Sequence, residues 1–176
     1  FIILDKEREV VRIILNHIQI DIANQTSSTI EGDLSSRDFS INSIAFLFDK
    51  RLLFDPFNGL KDLQCSLLKT YSEINLLNDP LRILRCFRFV SELNFQIDLK
   101  LVDFIKKNKG KLYLVAKERI NYEIHKIVNG KNALEAVILL KQFNIFGSDN
   151  FYKNSFFLDL QKINYTELNK NEKEKF

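Results

Sequence analysis

The sequence predicts an α+β fold, with short strands in its first third and helices after it. Residues 1–63 hold short apolar runs, and Ile18, Ile20 and Ile22 alternate with polar residues, a spacing typical of strands. From residue 79 onward the apolar residues recur at three- and four-residue spacing, which indicates amphipathic helices. Hydrophobic residues make up 45% of the 176, so the chain can bury a core.

The N-terminal part is predicted to be a set of strands. Apolar runs bounded by charged or turn-forming residues predict three of them, over 1–4, 10–15 and 18–23. A charged turn is expected at 5–9, a hairpin tip at 16–17 and a polar loop at 24–32. Because the third strand alternates, we expect it to be half-buried and to present Asp21 to a surface or a cleft.

The following stretch is predicted to hold a helix, a turn and short strands. A charged segment at 33–38 leads into an apolar helix with Ser40 as its N-cap, and this helix is expected to end at 46–49. Proline, asparagine and glycine make 55–63 a turn. Short apolar runs, candidates for extended structure, lie at 51–54 and 66–71.

The clearest helix signal begins at Asp79. Asp79 fits an N-cap, and Pro80 fits the first helical position, where its missing N–H costs nothing. The arginines at 82, 85 and 88 are three residues apart and fan over about 120° of one side. The opposite side carries the apolar residues Ile83, Leu84, Cys86, Phe87 and Val90. One face is therefore expected to be buried and the other to carry three fixed positive charges.

The same helix could recognise a nucleotide. Arginine keeps its charge and binds phosphate bidentately. A carboxylate beside a guanidinium could also pair with a base edge: Asp79 would accept from an amino group, and Arg82 would donate to a ring nitrogen. That pattern admits adenine and cytosine and rejects guanine and uracil. The alternative is a capped amphipathic helix with a solvated basic face.

Three further helices are predicted after residue 91. They are a helix within 91–109 with Leu101, Val102 and Ile105 on its apolar face, a helix over 116–128 with Ile120, Ile124 and Ile127, and a helix over 133–143. The aromatic-rich segment 150–160 is expected to pack as a helix core or to cover a surface, with stacking on RNA bases as the alternative. The polar segment 164–176 is expected to be frayed or disordered.

Composition limits the function classes only broadly. The net charge of +3 is compatible with RNA binding without arguing for it. Neither a membrane-spanning run nor a signal peptide is present in the sequence, so a cytoplasmic or organelle-interior location and no membrane partner are expected. Cys65 and Cys86 have neither metal-ligand nor redox spacing, and we expect reduced, core-type thiols.

Four strings occur in a fixed order along the chain. They are RDFSIN at 37–42, DPFNGLKDL at 55–63, DPLRILRCFRF at 79–89 and KERI at 117–120. Together they resemble the class II tRNA nucleotidyltransferase and poly(A) polymerase family, within the polymerase-β-like nucleotidyltransferases. The resemblance implies the C-terminal part of a nucleotidyltransferase head, with a mixed sheet plus helix, followed by an all-helical neck and the start of a body. The implied domains are 1–64 for the head, 65–146 for the neck and 147–176 for the body and tail.

The resemblance also assigns roles to individual residues. The implied nucleotide-binding residues are Arg37, Asp38 (at the ribose), Asp79 and Arg82 (at the base), and Arg85 and Arg88. Residues 55–63 resemble the family's flexible spring element, with Asp55, Gly59 and Asp62 as structural support, and Glu118 and Arg119 would brace the template helix. The chain departs from the family at Ser36, where an arginine is usual, and at Asn78, where a glutamate is common.

The implied chemistry is nucleotidyl transfer to the 3′ end of tRNA, for synthesis or repair of the CCA end. An RNA 3′-hydroxyl attacks the α-phosphate of ATP or CTP, pyrophosphate leaves, and two Mg²⁺ ions stabilise the developing charge. The family's Gly-Ser loop and Asp-x-Asp pair are absent from this sequence, and Asp21 resembles the third catalytic, metal-binding carboxylate. Because the chain opens on Phe1 and has no methionine, we expect a fragment. Because the Asp-x-Asp pair is missing, we expect this fragment to be inactive alone. A poly(A) polymerase and a non-catalytic nucleotide- or RNA-binding remnant are the alternatives.

Overall fold

The structure, a computed structural model, describes residues 1–5 and 9–147. It divides into two compact units, one ending at Arg37 and one beginning at Asp38. The predicted segments 150–160 and 164–176 and most of the predicted turn at 5–9 lie outside the described residues. The predicted domain limits at residues 64 and 146 stay a prediction.

The first unit is an antiparallel three-stranded sheet followed by a short helix. Its strands are β1 (Ile2–Asp5), β2 (Val10–Leu15) and β3 (Ile18–Ile22), in the order β1-β2-β3. All three predicted strands and the hairpin tip are confirmed, with Asn16 in the left-handed region at φ 55°. Helix α1 (Ile30–Leu34) begins inside the predicted loop, because the Thr29 side chain accepts a hydrogen bond from the Gly32 N–H and caps it.

The predicted half-burial of the third strand is wrong. Every residue of β3 is exposed, and the isoleucines that should form a buried face are 42% to 64% exposed. Alternation marks a face that can be buried, but burial needs a second layer, and three short strands cannot supply one to themselves.

The second unit begins with a turn where the sequence predicted an apolar helix. Residues Ser40–Asn42 form one 3₁₀ turn, and β4 (Ala45–Leu47) then pairs antiparallel with β5 (Leu52–Phe54). The predicted helix is therefore wrong. The Asn42 side chain accepts from the Phe39 N–H and Ser43 Oγ donates to the Phe39 carbonyl, bonds that compete with helix formation. The aromatic and aliphatic residues that follow suit a hairpin.

A short parallel ladder and two helices lead to the centre of the unit. Helix α2 (Gly59–Gln64) follows the predicted turn, which is confirmed for its first four residues. Strand β6 (Leu67–Leu68) pairs with β7 (Gln96–Ile97), so the predicted strand at 66–71 shrinks to two residues. Helix α3 (Glu73–Asn78) was not predicted.

Helix α4 (Arg82–Leu93) begins three residues after the predicted cap. Asp79 instead closes α3 and opens a tight turn, in which its carboxylate accepts from the Leu81 N–H at 3.3 Å. The remaining helices confirm the predictions after residue 91: α5 (Leu99–Asn108), α6 (Lys117–Val128) and α7 (Ala133–Gln142), with a 3₁₀ segment at Lys109–Leu114.

The core of the second unit lies between α4, α6 and α7, which pack on one another. All five apolar residues predicted for the buried side of α4 are buried, as are Ile120, Ile124 and Ile127 of α6. Cys86 lies in this core, but Cys65 is exposed, so the prediction of a core-type thiol is wrong there. Among the described helices, none has the length and apolar character that crossing a membrane requires.

Gly59 is required by a close backbone approach. A Cβ at this position would lie 2.1 Å from the Ser40 carbonyl oxygen, which belongs to the backbone and cannot swing away. We expect Gly59→Ala to lower the free energy of unfolding by about 1–3 kcal/mol, measured by urea denaturation. Gly110→Ala is the matched control, because its Cβ would meet nothing within 4 Å. An equal loss in both variants would contradict the steric explanation.

Candidate functional site

A buried carboxylate lies at the start of the second unit and is held by α4. Asp38 is 3% exposed, and one of its oxygens accepts a hydrogen bond from Arg85 Nε. Its other oxygen accepts from Asn42 Nδ2 at 2.6 Å, and the Asn42 oxygen in turn accepts from the Phe39 N–H. The segment after Arg37 is thus tied to α4 through one side-chain pair.

The electrostatics of Asp38 follow from this arrangement. Burial by itself raises the pKa of the carboxyl group, because it disfavours the charged form. The charge and hydrogen bond of Arg85, the hydrogen bond from Asn42 and the charge of Arg82 outweigh burial, so the pKa of Asp38 is lowered. Asp38 is therefore a fixed negative charge on which Arg82 and Arg85 both act.

Arg82 and Asp79 lie at the beginning of α4, where the sequence predicted a base-reading pair. Arg82 is half-buried and its Nη1 donates to the carbonyl of Asn75 in α3 at 3.1 Å. The Asp79 carboxylate pairs with Arg119 Nη2 of α6 at 2.8 Å, and the two side chains are 31% and 54% exposed. The predicted brace residue Arg119 therefore contacts the residue proposed to read the base.

Arg88 differs from the other two arginines of α4 because it is buried. Its Nη1 lies 3.1 and 3.2 Å from the two carboxylate oxygens of Glu123, which is 4% exposed. Its Nε is 3.5 Å from the Glu92 carboxylate, and its guanidinium lies 5.0 Å from the centre of the Phe89 ring. A solvated basic face, the alternative considered above, is therefore wrong for Arg88.

The predicted spring segment is held by its own carboxylates. Asp55 accepts hydrogen bonds from the Gly59 and Leu60 N–H groups, at 2.7 and 2.9 Å, and so caps α2. Asp62 is 6% exposed and accepts from Ser40 Oγ at 2.5 Å. The Asp55 bonds hold residues 55–63 together, and the Asp62 bond ties them to the turn that follows Asp38.

The first unit contains the two other predicted site residues. Arg37 pairs with Asp33 at 3.1 Å on the exposed end of α1. Asp21 is exposed, and both of its oxygens accept from Arg12, at 2.7 and 2.9 Å. The hydrogen bond from Arg12 lowers the pKa of Asp21. Within residues 1–5 and 9–147, no group of three or more His, Cys, Asp or Glu could hold a metal ion.

Sequence reasoning missed three residues that position the site: Asn42, Asn75 and Glu123. Asn75 lies on a helix that was not predicted, and Asn42 lies in a turn that was predicted as helix. A signal for Glu123 was present, because it falls on the apolar side of α6 between Ile120 and Ile127. A carboxylate on a buried stripe requires a cationic partner.

Two family models match the chain. One, described as the poly A polymerase head domain, matches residues 2–69. The other, described as the probable RNA and SrmB-binding site of polymerase A, matches residues 94–148. The first match includes Asp38 and the spring segment, and the second includes the whole of α6.

Named relatives agree with these matches. The chain is 37% identical to a CC-adding tRNA nucleotidyltransferase of Synechocystis sp. over 125 residues, 71% of this chain and 30% of the relative. It is 33% identical to an A-adding tRNA nucleotidyltransferase of Deinococcus radiodurans over 147 residues, 81% of this chain and 33% of the relative. A Thermotoga maritima CCA-adding enzyme complexed with tRNA matches with a TM-score of 0.70 and 31% identity, over 80% of this chain and 36% of that one.

The fold is that of an α+β nucleotidyltransferase head, followed along the chain by a helical region. Within that class, the chain belongs to the family of tRNA nucleotidyltransferases and poly(A) polymerases. It spans about a third of the length of the curated relatives it matches.

Proposed function

We propose that the whole protein transfers nucleotides from ATP or CTP to the 3′ end of tRNA, and that this chain carries the part that selects the base. The observation that carries the proposal is the placement of Asp79 just before α4 and of Arg82 at its first position. Both residues are half-buried, so each keeps access to solvent. The relatives named above, which add C or A to tRNA, support it.

The proposed roles follow from the contacts. Asp79 accepts a hydrogen bond from the amino group of adenine or cytosine, and Arg82 donates to the neighbouring ring nitrogen. The carboxylate of Asp79 keeps lone pairs for this contact because Arg119 and the Leu81 N–H use only part of its capacity. Asp38 holds Arg85 in place, and Arg85 binds the nucleotide. A nucleotide contact by Arg37, in the first unit, stays a separate proposal.

Arg88 takes a different role in this proposal. A guanidinium that is 8% exposed and paired with Glu123 is not available to a phosphate. Arg88 therefore acts as a positioning residue that anchors α4 to α6, in place of the direct nucleotide contact that the sequence suggested. Asp55, Gly59 and Asp62 keep the supporting roles expected for them. Arg119, which contacts Asp79, takes the bracing role that the exposed Glu118 was expected to share.

Nucleotidyl transfer in this family uses divalent metal ions, and Mg²⁺ is the ion we propose for the whole protein. The described residues do not fit such a site. Asp21, the one carboxylate that the resemblance places there, is paired with Arg12 and belongs to no group of three or more His, Cys, Asp or Glu within the described residues that could hold a metal ion.

A poly(A) polymerase is the second candidate, because the family model that matches residues 2–69 carries that description. The whole protein, supplied in turn with ATP and with CTP on a tRNA that lacks its 3′ end, separates the two. Incorporation of CTP supports the tRNA nucleotidyltransferase, whereas incorporation of ATP alone in long runs supports the poly(A) polymerase. Incorporation of neither would overturn both.

Removing Arg82 should relax base choice more than it slows the reaction. A lost charge-assisted hydrogen bond is worth about 1.5–3 kcal/mol, so Arg82→Ala should reduce the preference for ATP and CTP over GTP and UTP by about 10- to 150-fold. The measurement is kcat/KM for each of the four nucleotides with the whole protein. Lys100→Ala, an exposed cation in α5, is the control. Equal loss with all four nucleotides would count against a base-reading role.

A further inference from the structure

One side of α6 carries a row of cationic and aromatic side chains, of which Arg119 and Tyr122 are exposed and Lys126 is half-buried. Arg119, Tyr122 and Lys126 are spaced three and four residues apart, so they lie on neighbouring positions of one helix side. Tyr122 is 60% exposed, a large fraction for an aromatic ring in a helix whose opposite side is in the core. We refer to these three residues as the α6 row.

The row is a defined arrangement and not a scatter of surface side chains. Lys126 Nζ lies 4.3 Å from the centre of the Tyr122 ring, a cation–π contact that holds the lysine beside the ring. The exposed residues Glu118, His125 and Asn129 lie on the other flank of the same helix side, and Asn129 Nδ2 is bonded to the His125 carbonyl. A negatively charged ligand would thus meet the flank that carries Arg119 and Lys126.

The α6 row is continuous with the proposed nucleotide site. Its first member, Arg119, contacts the Asp79 carboxylate at 2.8 Å. Lys126 lies seven positions after Arg119 in the helix, a rise of about 10 Å. That length corresponds to about three stacked nucleotides at about 3.4 Å each.

We propose that the α6 row binds the single-stranded 3′ end of an RNA and directs it toward Asp79. A base stacks on the exposed ring of Tyr122, and the phosphates lie beside Lys126 and Arg119. An aromatic ring with flanking cations is the usual means of holding single-stranded nucleic acid without reading its sequence. The inference rests on the proposed function, since it assigns the RNA that receives the nucleotide. It also lies within residues 94–148, which match the RNA-binding family model.

The test uses the 176-residue chain and two labelled RNA hairpins with the same stem, one with a single-stranded 3′ overhang and one blunt. Tyr122→Ala should raise the Kd for the overhang RNA by about 5- to 100-fold, because stacking of a base on an aromatic side chain is lost. Its Kd for the blunt hairpin should stay unchanged. Lys126→Ala should weaken binding of the overhang RNA and reduce the salt dependence by about one counterion.

Matched variants keep the result interpretable. Tyr122→Phe keeps the ring and should bind the overhang RNA as the unaltered chain does. Tyr113→Ala removes another exposed tyrosine, 45% exposed in the 3₁₀ segment, and should change the Kd by no more than about twofold. Circular dichroism of each variant checks that α6 still folds.

Three results would overturn the proposal. They are an unaltered chain that does not bind the overhang RNA, equal Kd values with and without the Tyr122 ring, and an equal loss of binding to both hairpins. Failure of the proposed function is distinguishable. If Tyr122→Ala raises the Kd for the overhang RNA while the whole protein incorporates neither ATP nor CTP, the RNA-binding site is supported and the proposed transfer reaction is contradicted.

Discussion

Glu123→Ala should lower the free energy of unfolding of the second unit by about 3–5 kcal/mol. The carboxylate of Glu123 is 4% exposed and binds Arg88, which is itself 8% exposed. Removing it leaves a guanidinium with little access to water and only the more distant Glu92 carboxylate, at 3.5 Å, to offset its charge. An uncompensated buried charge costs far more than the pair contributes.

Urea denaturation of the unaltered chain and of three variants measures this effect. Glu118→Ala removes an exposed carboxylate from the same helix and should change stability by less than about 0.5 kcal/mol. The double variant Arg88→Met with Glu123→Leu removes both charges together and should recover most of the loss. If Glu118→Ala and Glu123→Ala prove equally destabilising, the buried pair is not the cause.

The buried pair also bears on the proposed site. Arg88 and Glu123 join α4 to α6 in the interior, and Asp79 and Arg119 join the turn before α4 to the start of α6 at the surface. Two ion pairs between the same neighbours fix how far α6 can slide or rotate along α4. The base-reading role proposed for Asp79 and Arg82 requires a constant spacing between them, and the interior pair would help to maintain it.

Local periodicity was sufficient to predict the helix that carries the site. Ile83, Phe87 and Val90 recur on one side of α4, so their burial follows from the helical repeat alone. The alternation of β3 predicted a strand equally well, but its half-burial depends on what covers the sheet, which no local pattern encodes. The helix predicted after Ser40 failed because side-chain bonds to Phe39 stabilise a turn there.

The partners of the three arginines could not be predicted in the same way. Arg88 pairs with a residue 35 positions away, and Arg85 with one 47 positions away. A stripe of arginines has the same spacing whether it faces water or a buried carboxylate. The tertiary fold decides between the two, and here it supplies Asp38 to Arg85 and Glu123 to Arg88.

Arg85→Ala should lower the free energy of unfolding of the second unit by about 3 kcal/mol at pH 7. This value is the lower end of the range for removing one partner of a buried ion pair, about 3–5 kcal/mol. Asp38 is 3% exposed, and without Arg85 its charge is offset only by the Asn42 hydrogen bond and the charge of Arg82. Arg119→Ala is the matched control, because it breaks an arginine–aspartate pair that is largely exposed. The control should cost no more than about 1 kcal/mol.

The dependence on pH separates a lost charge pair from lost packing. In the unaltered chain the pKa of Asp38 is lowered, so its stabilising contribution is present above the unfolded pKa of about 4 and is lost as the pH falls through the folded pKa. In Arg85→Ala, burial should instead raise the pKa of Asp38, and protonation relieves the penalty as the pH falls. The difference in unfolding free energy between the two proteins should therefore shrink from pH 7 toward about pH 4. A difference that stays constant across this range would mean that Arg85 contributes through its packing on Phe89 and not through the charge of Asp38.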